Sequence, residues 1–443
     1  MGRKAFDLDQ FVVDLVSFDD LETKKRYAKK IMNLAYKNGI YLSSINDFYF
    51  ARGRGEFSGF TVPAVNLRSM TYDLARAIFR AANKINAGGF IFEIAKSEIG
   101  YTDQSPVEYA AVCLAAAMME GYKGPVFVQG DHFQVNAKKY KENPQKEMDV
   151  LKNIMQESID AGFYNIDIDS STLVDLSKPK LKKQQELNFE VCAELTEFIR
   201  KNQPKGIQVS VGGEIGEVGG KNSTPEDLRA FMEGYRKALR KNYTGISKIS
   251  VQTGTAHGGV VLPDGSIAEV KLDFETLRSL SRVAREEFGM AGAVQHGAST
   301  LPEDAFHHFP QTDTAEVHLA TQFQNMIYDS PKFPAELKDR IYEWLHQNCA
   351  SEKKEGQTDE QFIYKTRKKA LGPFKKDIMK LSKELRDEIA KEIEAKFDFL
   401  FGQLKIGGGK ELVDKHTTLK RVIKRTRKEE APAEVIRDTE GDD

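Results

Sequence analysis

Beyond about residue 58 the chain alternates between two hydrophobic patterns. Short, nearly continuous apolar runs rich in Val, Ile and Phe read as strands buried on both faces, the pattern of a parallel sheet. They are Phe60–Leu67, Gly89–Ala95, Pro125–Gln129, Tyr164–Asp169, Ile207–Val211, Ile246–Gln252, Ala291–Gln295 and Thr314–Leu319. Between them lie longer stretches with helical spacing of apolar residues, among them Thr71–Asn86, Pro106–Met119, Lys146–Ala161 and Gln185–Lys201. Thr224-Pro-Glu-Asp puts a capping hydroxyl, a first-turn proline and early acids in the order a helix start needs, and Asp273-Phe-Glu-Thr and Leu301-Pro-Glu-Asp open two more. This alternation predicts an α/β fold, a (β/α)8 TIM barrel over residues 59–330. An open doubly wound sheet would carry a glycine-rich phosphate loop after its first strand, and Asn66-Leu-Arg-Ser-Met is not one.

The flanks carry different patterns. Residues 1–58 predict an N-terminal helical extension, with one helix over Asp20–Tyr36 that stops at Asn38-Gly39. Arg52-Gly-Arg-Gly-Glu reads as a flexible, solvated link into the barrel. Residues 331–406 predict C-terminal helices packed on the barrel or at a subunit interface, including a charged helical pattern over Phe374–Phe399. Gly407-Gly-Gly breaks that pattern, and 407–443 predict a flexible charged tail.

Composition changes this picture little. A formal net charge of -1 gives no electrostatic case for nucleic acid. No apolar run approaches the roughly 20 residues a membrane helix needs. The N-terminus has no apolar signal-peptide core, and the three cysteines, Cys113, Cys192 and Cys349, form no metal-type or redox pair. A reducing cytoplasm is the expected location.

The chemistry concentrates where predicted strands end. His132, His257 and His296 each follow a short apolar run and border small residues. A lone histidine there is usually a hydrogen-bonded structural residue, but imidazoles converging from separate strands suit a zinc-type ion with an open position. Glu214 ends the fifth strand in Gly212-Gly-Glu-Ile-Gly-Glu217-Val-Gly-Gly220, where the glycines predict a moving loop or close backbone approach to a ligand. Asp131 beside His132 reads as a general acid or base, or a supporting partner; adjacent strand residues face opposite ways, so both point inward only if the strand has ended. Asp167 and Asp169 share a face. Gly297-Ala-Ser299 and His318-Leu-Ala-Thr321 end the last two strands, where barrels commonly hold a phosphate.

Taken in order, Gly-Asp131-His132, Glu214-Ile-Gly-x-x-Gly-Gly, Gly254-Thr-Ala-His257-Gly, Lys271-Leu-Asp-Phe and His296-Gly-Ala-Ser-Thr-Leu-Pro resemble the class II, zinc-dependent ketose-bisphosphate aldolases from about Phe60 to Tyr328. The resemblance implies zinc, or another divalent metal, on His132, His257 and His296, with Glu214 beside it. It implies that Asp131 moves the proton of a substrate hydroxyl. Gly258, Gly297, Ser299, His318 and Thr321 would hold the phosphate of a phosphorylated sugar, in part with a monovalent cation. The implied activity is a lyase that cleaves or forms a carbon–carbon bond in a ketose such as fructose 1,6-bisphosphate, through an enediolate of dihydroxyacetone phosphate. A homodimer or homotetramer is the expected assembly.

Three departures accompany the resemblance. The double glycine is followed by Lys221 and Asn222, whereas the family usually carries an acidic pair in this loop, so the base for the carbanion carbon is either elsewhere, with Glu217 the nearest candidate, or missing. Gly259-Val-Val stands where many relatives have Tyr-Lys, and His318 stands where an Asn commonly ends strand eight. Two other readings stay open: a non-catalytic partner subunit of an aldolase, and a barrel lyase of different chemistry, such as a Schiff-base aldolase using Lys248. The alternation of Ile246, Lys248 and Ser250 does not decide which face of that strand points inward.

Overall fold

The structure is a computed structural model that describes residues 7–216, 221–254, 262–263 and 272–422. Among the described residues nine parallel strands form one sheet: β1 (Ile40–Ser43), β2 (Val62–Asn66), β3 (Ile91–Ala95), β4 (Gly124–Gln134), β5 (Asn165–Asp169), β6 (Ser210–Gly216), β7 (Lys248–Val251), β8 (Ala293–Gln295) and β9 (Glu316–Leu319). β2 pairs with β9 and β4 with β5, so β2 to β9 close on themselves as a (β/α)8 TIM barrel. The apolar runs become strands because each buries both faces, one toward the barrel axis and one under the helix that follows it. All eight runs identified from the pattern overlap a barrel strand, although β4 and β6 run on past the expected ends to Gln134 and Gly216.

The N-terminal segment does more than extend the barrel with α1 (Leu8–Ser17) and α2 (Leu21–Lys37). β1 adds itself to the lower part of β4, with Ile40 opposite Gly124, while β5 pairs only from Gln129 upward. The side chain of Asn165 ties the insertion together, accepting from the Ile45 N–H at 2.9 Å and donating to the carbonyls of Ser43 and Val128 at 3.3 and 3.0 Å. α3 (Asn46–Gly53) then closes the bottom of the barrel, packing Phe48 and Tyr49 against Val62, Ile91 and Phe127.

The expected solvated link at Arg52 is therefore corrected. Arg52 belongs to α3, is fully buried, and donates to the carbonyls of Phe60, Asp313 and Thr314 at 2.7, 3.2 and 3.1 Å. Those are carbonyls at the strand-entry end, which a guanidinium with five donors can satisfy together.

Helix Lys383–Gln403 lies along the outer helix Thr71–Lys84, joined by Arg386 to Asp73 at 2.8 Å and Arg80 to Glu394 at 2.6 Å. The first part of the segment expected as a flexible tail also packs: helix Lys410–Lys415 buries Val413 with the residues under the barrel. Its remainder from residue 423 lies outside the described residues. Among the described residues no helix is long and apolar enough to cross a membrane.

Candidate metal and catalytic site

Period-two alternation along the strands sends a stack of polar side chains into the barrel. In its middle, Lys248 from β7 donates to Gln129 (2.8 Å), Asp167 (2.8 Å) and Glu316 (2.5 Å), all buried. Gln129 also donates to Glu93 at 2.8 Å, and from below the Tyr49 hydroxyl reaches Glu316. Gly212 makes room for this group, since a Cβ there would lie 2.3 Å from Asp167 and 3.0 Å from Lys248. Burial works against the ammonium charge of Lys248, but Asp167 and Glu316 outweigh it and raise its pKa. Glu316 collects the most donors and falls to about 2 despite its burial. An amine held protonated in this way is a poor Schiff-base nucleophile.

Above this layer the chain spends a backbone irregularity to face two neighbouring residues inward. Across β4 and β5, Gly130 pairs with Ile166 and Phe133 with Ile168, so β4 carries one extra residue. His132 takes a left-handed φ of 39° in this bulge. The bulge turns the Phe133 ring over Gly130, where a Cβ would come within 2.5 Å of it. As a result Asp131 and His132 both reach the site although they are adjacent in sequence, and β4 runs on to Gln134 rather than ending there.

His132, His296 and His318 form a row, with ring centroids 4.1 Å apart at each step. The Nδ1 of His132 lies 3.3 Å from both Asp169 and Glu214. Ligand atoms of Asp131, His132 and His296 lie within 4.8 Å of one another, as do those of His132, Asp169 and Glu214. Two buried imidazoles beside carboxylates are the donor chemistry a zinc-type ion takes, with Asp169 placed to orient His132. Two described donor sets that share His132 thus fit a divalent ion, one with Asp131 and His296 and one with Asp169 and Glu214. His257, Gly258 and Glu217 lie outside the described residues.

The electrostatics are strongly biased. Burial opposes the charge of His132, yet Asp131 and Glu214 outweigh it and hold the imidazole well above its usual range. Burial likewise acts to raise Asp131, but His132 and His318 hold its carboxyl well below the ordinary carboxylate value. Glu214 goes the other way, pushed up to about 7 by burial and by Asp169.

His318, placed by sequence with the phosphate groups, faces the barrel axis. Its Nδ1 lies 3.1 Å from both Asp131 and Glu93, and its Nε2 lies 2.7 Å from Glu316. The neighbouring strand ends form a separate polar corner. Gly297 takes a φ of 66°, and Ser299 accepts from the Ala320 N–H at 2.6 Å. Thr321 begins helix Thr321–Asp329, which has no capping side chain. Asn222 is exposed and donates to Asp273 at 3.1 Å.

Three further residues join this site without having been singled out from the sequence. Asn66 ends β2 and donates to Asp131 (3.0 Å) and to Glu98 (2.9 Å). Glu98 accepts from Arg68 Nε at 2.5 Å, and Arg68 in turn reaches Thr321 at 3.2 Å. Asn66 was legible in principle, at the same parity as the inward Val62 and Ala64; Glu98 and Arg68 lie beyond their strands, where no period applies.

Residues 54–404 match the family model described as Fructose-bisphosphate aldolase class-II. Among solved structures, the chain is similar to a fructose-bisphosphate aldolase from Campylobacter jejuni at 18% identity, covering 81% of this chain and 93% of that one with a TM-score of 0.44. A protein described as a "probable tagatose 6 phosphate kinase" from Sinorhizobium meliloti 1021 gives 14% identity, 80% and 99% coverage and a TM-score of 0.55. The fructuronate-tagaturonate epimerase UxaE from Cohnella laeviribosi gives 12%, 81% and 82%, and 0.51. For the latter two, at these identities, the likeness is one of fold. No protein of curated function matches the sequence.

Proposed function

The chain belongs to the class II fructose-bisphosphate aldolase family, and from that premise we propose that it is a metal-dependent lyase acting on a phosphorylated ketose. The observation that carries this reading is the bulge in β4, which brings Asp131 and His132 together beside His296 and sets His132 against Asp169 and Glu214 on its other side. His132 and His296 would hold a divalent ion such as zinc, with His257 the expected third ligand. Such an ion supplies Lewis-acid stabilisation of negative charge developing on substrate oxygens.

The rest of the chemistry falls to this chain's own side chains. Asp131 is ionised, buried and fixed by Asn66 and His318. A carboxylate so held can take the proton of the hydroxyl on the carbon chain to be cleaved, and return it in condensation. Glu214, a largely buried carboxylate 3.3 Å from His132, is a described group that could exchange a proton with the carbanion carbon. Ser299 and Thr321, at the ends of β8 and β9, would receive the phosphate. The buried layer under Asp131 keeps water from below and holds the carboxylates above it in register.

Deuterium exchange into dihydroxyacetone phosphate, followed by NMR in heavy water with and without a chelator, tests the proposal without needing the aldehyde partner. Exchange that the chelator abolishes supports it. Metal-loaded protein that exchanges nothing would turn the reading toward another substrate or a non-catalytic partner subunit.

A further inference from the structure

We infer that Arg68 is the cation that reads the substrate's phosphate, and that it links this recognition to Asp131. The inference rests on the phosphorylated-ketose reading and adds to it a residue at which substrate class is decided.

Arg68 lies two residues beyond the end of β2, and Thr321 two residues beyond the end of β9. The two strands are hydrogen-bonded neighbours, with Val65 opposite Leu319, so their extensions meet. There the Arg68 guanidinium approaches the Thr321 hydroxyl at 3.2 Å and the Gln324 amide oxygen at 3.5 Å. Helix Thr321–Asp329 starts at this point with its positive end uncapped by any side chain. A planar guanidinium beside a hydroxyl and a helix N-terminus makes a recognition set for a tetrahedral oxyanion.

The side chain is held for this task. Arg68 is 9% exposed, and its Nε donates to Glu98 at 2.5 Å. Glu98 is itself fixed, its other oxygen accepting from the Ala95 N–H at 2.8 Å and from Asn66 at 2.9 Å. An arginine anchored on one edge keeps its guanidinium in a defined plane, so little further entropy is lost on binding. This places a guanidinium, paired on one edge with Glu98, beside Thr321 in a chain that has Gly259-Val-Val where many relatives have Tyr-Lys.

The same hydrogen bonds run on to the chemistry. Arg68, Glu98, Asn66 and Asp131 form an unbroken series in which each contact is 3.0 Å or shorter. An anion that draws the guanidinium toward Thr321 therefore acts on the Asn66 amide that orients Asp131. Arg68 is a binding residue for the anion and a positioning residue for the carboxylate.

The test is calorimetric binding of dihydroxyacetone phosphate, inorganic phosphate and unphosphorylated dihydroxyacetone to the full-length, metal-loaded protein. Arg68→Met should weaken both phosphate-bearing probes about 10- to 100-fold, the loss of a hydrogen bond to a charged group, and leave dihydroxyacetone unchanged. Arg68→Lys keeps the charge without the fork, and should fall between Met and the natural residue. Glu98→Gln, which keeps the shape of the anchor, should lower turnover more than it raises KM. Unchanged dihydroxyacetone phosphate affinity in both Arg68 variants overturns the inference and leaves the proposed function standing. A natural protein that binds neither phosphate probe overturns both.

Discussion

Replacing Lys248 with methionine separates a structural role for this lysine from a chemical one. Lys248 is 1% exposed and contacts two buried carboxylates, Asp167 at 2.8 Å and Glu316 at 2.5 Å. Methionine fills much of the same volume but leaves those carboxylates without their shared cation. Removing one partner of a buried ion pair costs about 3–5 kcal/mol. At about 2 °C per kcal/mol for a large domain, the melting temperature should fall by about 6–10 °C. The loss should depend on pH in a definite direction. Burial already pushes Asp167 up to about 6, and without the lysine its folded pKa rises further above the unfolded one, while Glu316 keeps His318 at 2.7 Å, so the folded state binds more protons. Stability present below about pH 4 is then lost as pH rises through the raised value. The gap between variant and natural protein should therefore widen from about pH 5 to pH 8. Adding Asp167→Asn to Lys248→Met should recover part of the loss, because the less well compensated charge is gone. Differential scanning calorimetry at several pH values measures all of this, alongside borohydride treatment with dihydroxyacetone phosphate, which should leave no covalent adduct on the natural protein. A variant that melts within about 2 °C of the natural protein at every pH would refute the reasoning, and an adduct on Lys248 would restore the Schiff-base reading.

Four other outcomes follow from the site. His132→Ala and His296→Ala should each weaken zinc binding by more than the about 10–100-fold that loss of an outer partner costs, measured by competition with a chromogenic chelator; full zinc occupancy in both would remove the proposed site. Asp131→Asn should keep zinc and lower cleavage of fructose 1,6-bisphosphate by about 10²–10⁴-fold, and near-normal turnover would take the proton transfer away from Asp131. Because Asp131 and Glu214 hold His132 in its charged form, zinc must displace a proton, so zinc affinity should rise with pH and uptake should acidify a weakly buffered solution. Gly130→Ala should cost about 1–3 kcal/mol by driving a Cβ against the Phe133 ring, seen as a lower urea midpoint; an unchanged midpoint would mean the bulge relaxes freely.

By itself the sequence determined the barrel, because the signal for a doubly buried parallel strand is local. A run such as Pro125–Gln129 is legible from its own residues, and so is the helix that follows it. It also placed His132, Glu214 and His296 near the C-terminal ends of strands, although β4 and β6 run past His132 and Glu214 to Gln134 and Gly216. What it left undecided were questions of face and of distance. The inward parity of Lys248, the extra residue that turns Asp131 and His132 the same way, and the burial of Arg52 all depend on partners far along the chain. Asp167 is 81 residues from Lys248, and Thr314 is 262 from Arg52. A charged residue in an uninterrupted polar stretch reads as solvated, because nothing near it in sequence says that carbonyls or carboxylates from elsewhere will surround it. Closing the barrel supplied those partners, and with them the link from Arg68 through Glu98 and Asn66 to Asp131.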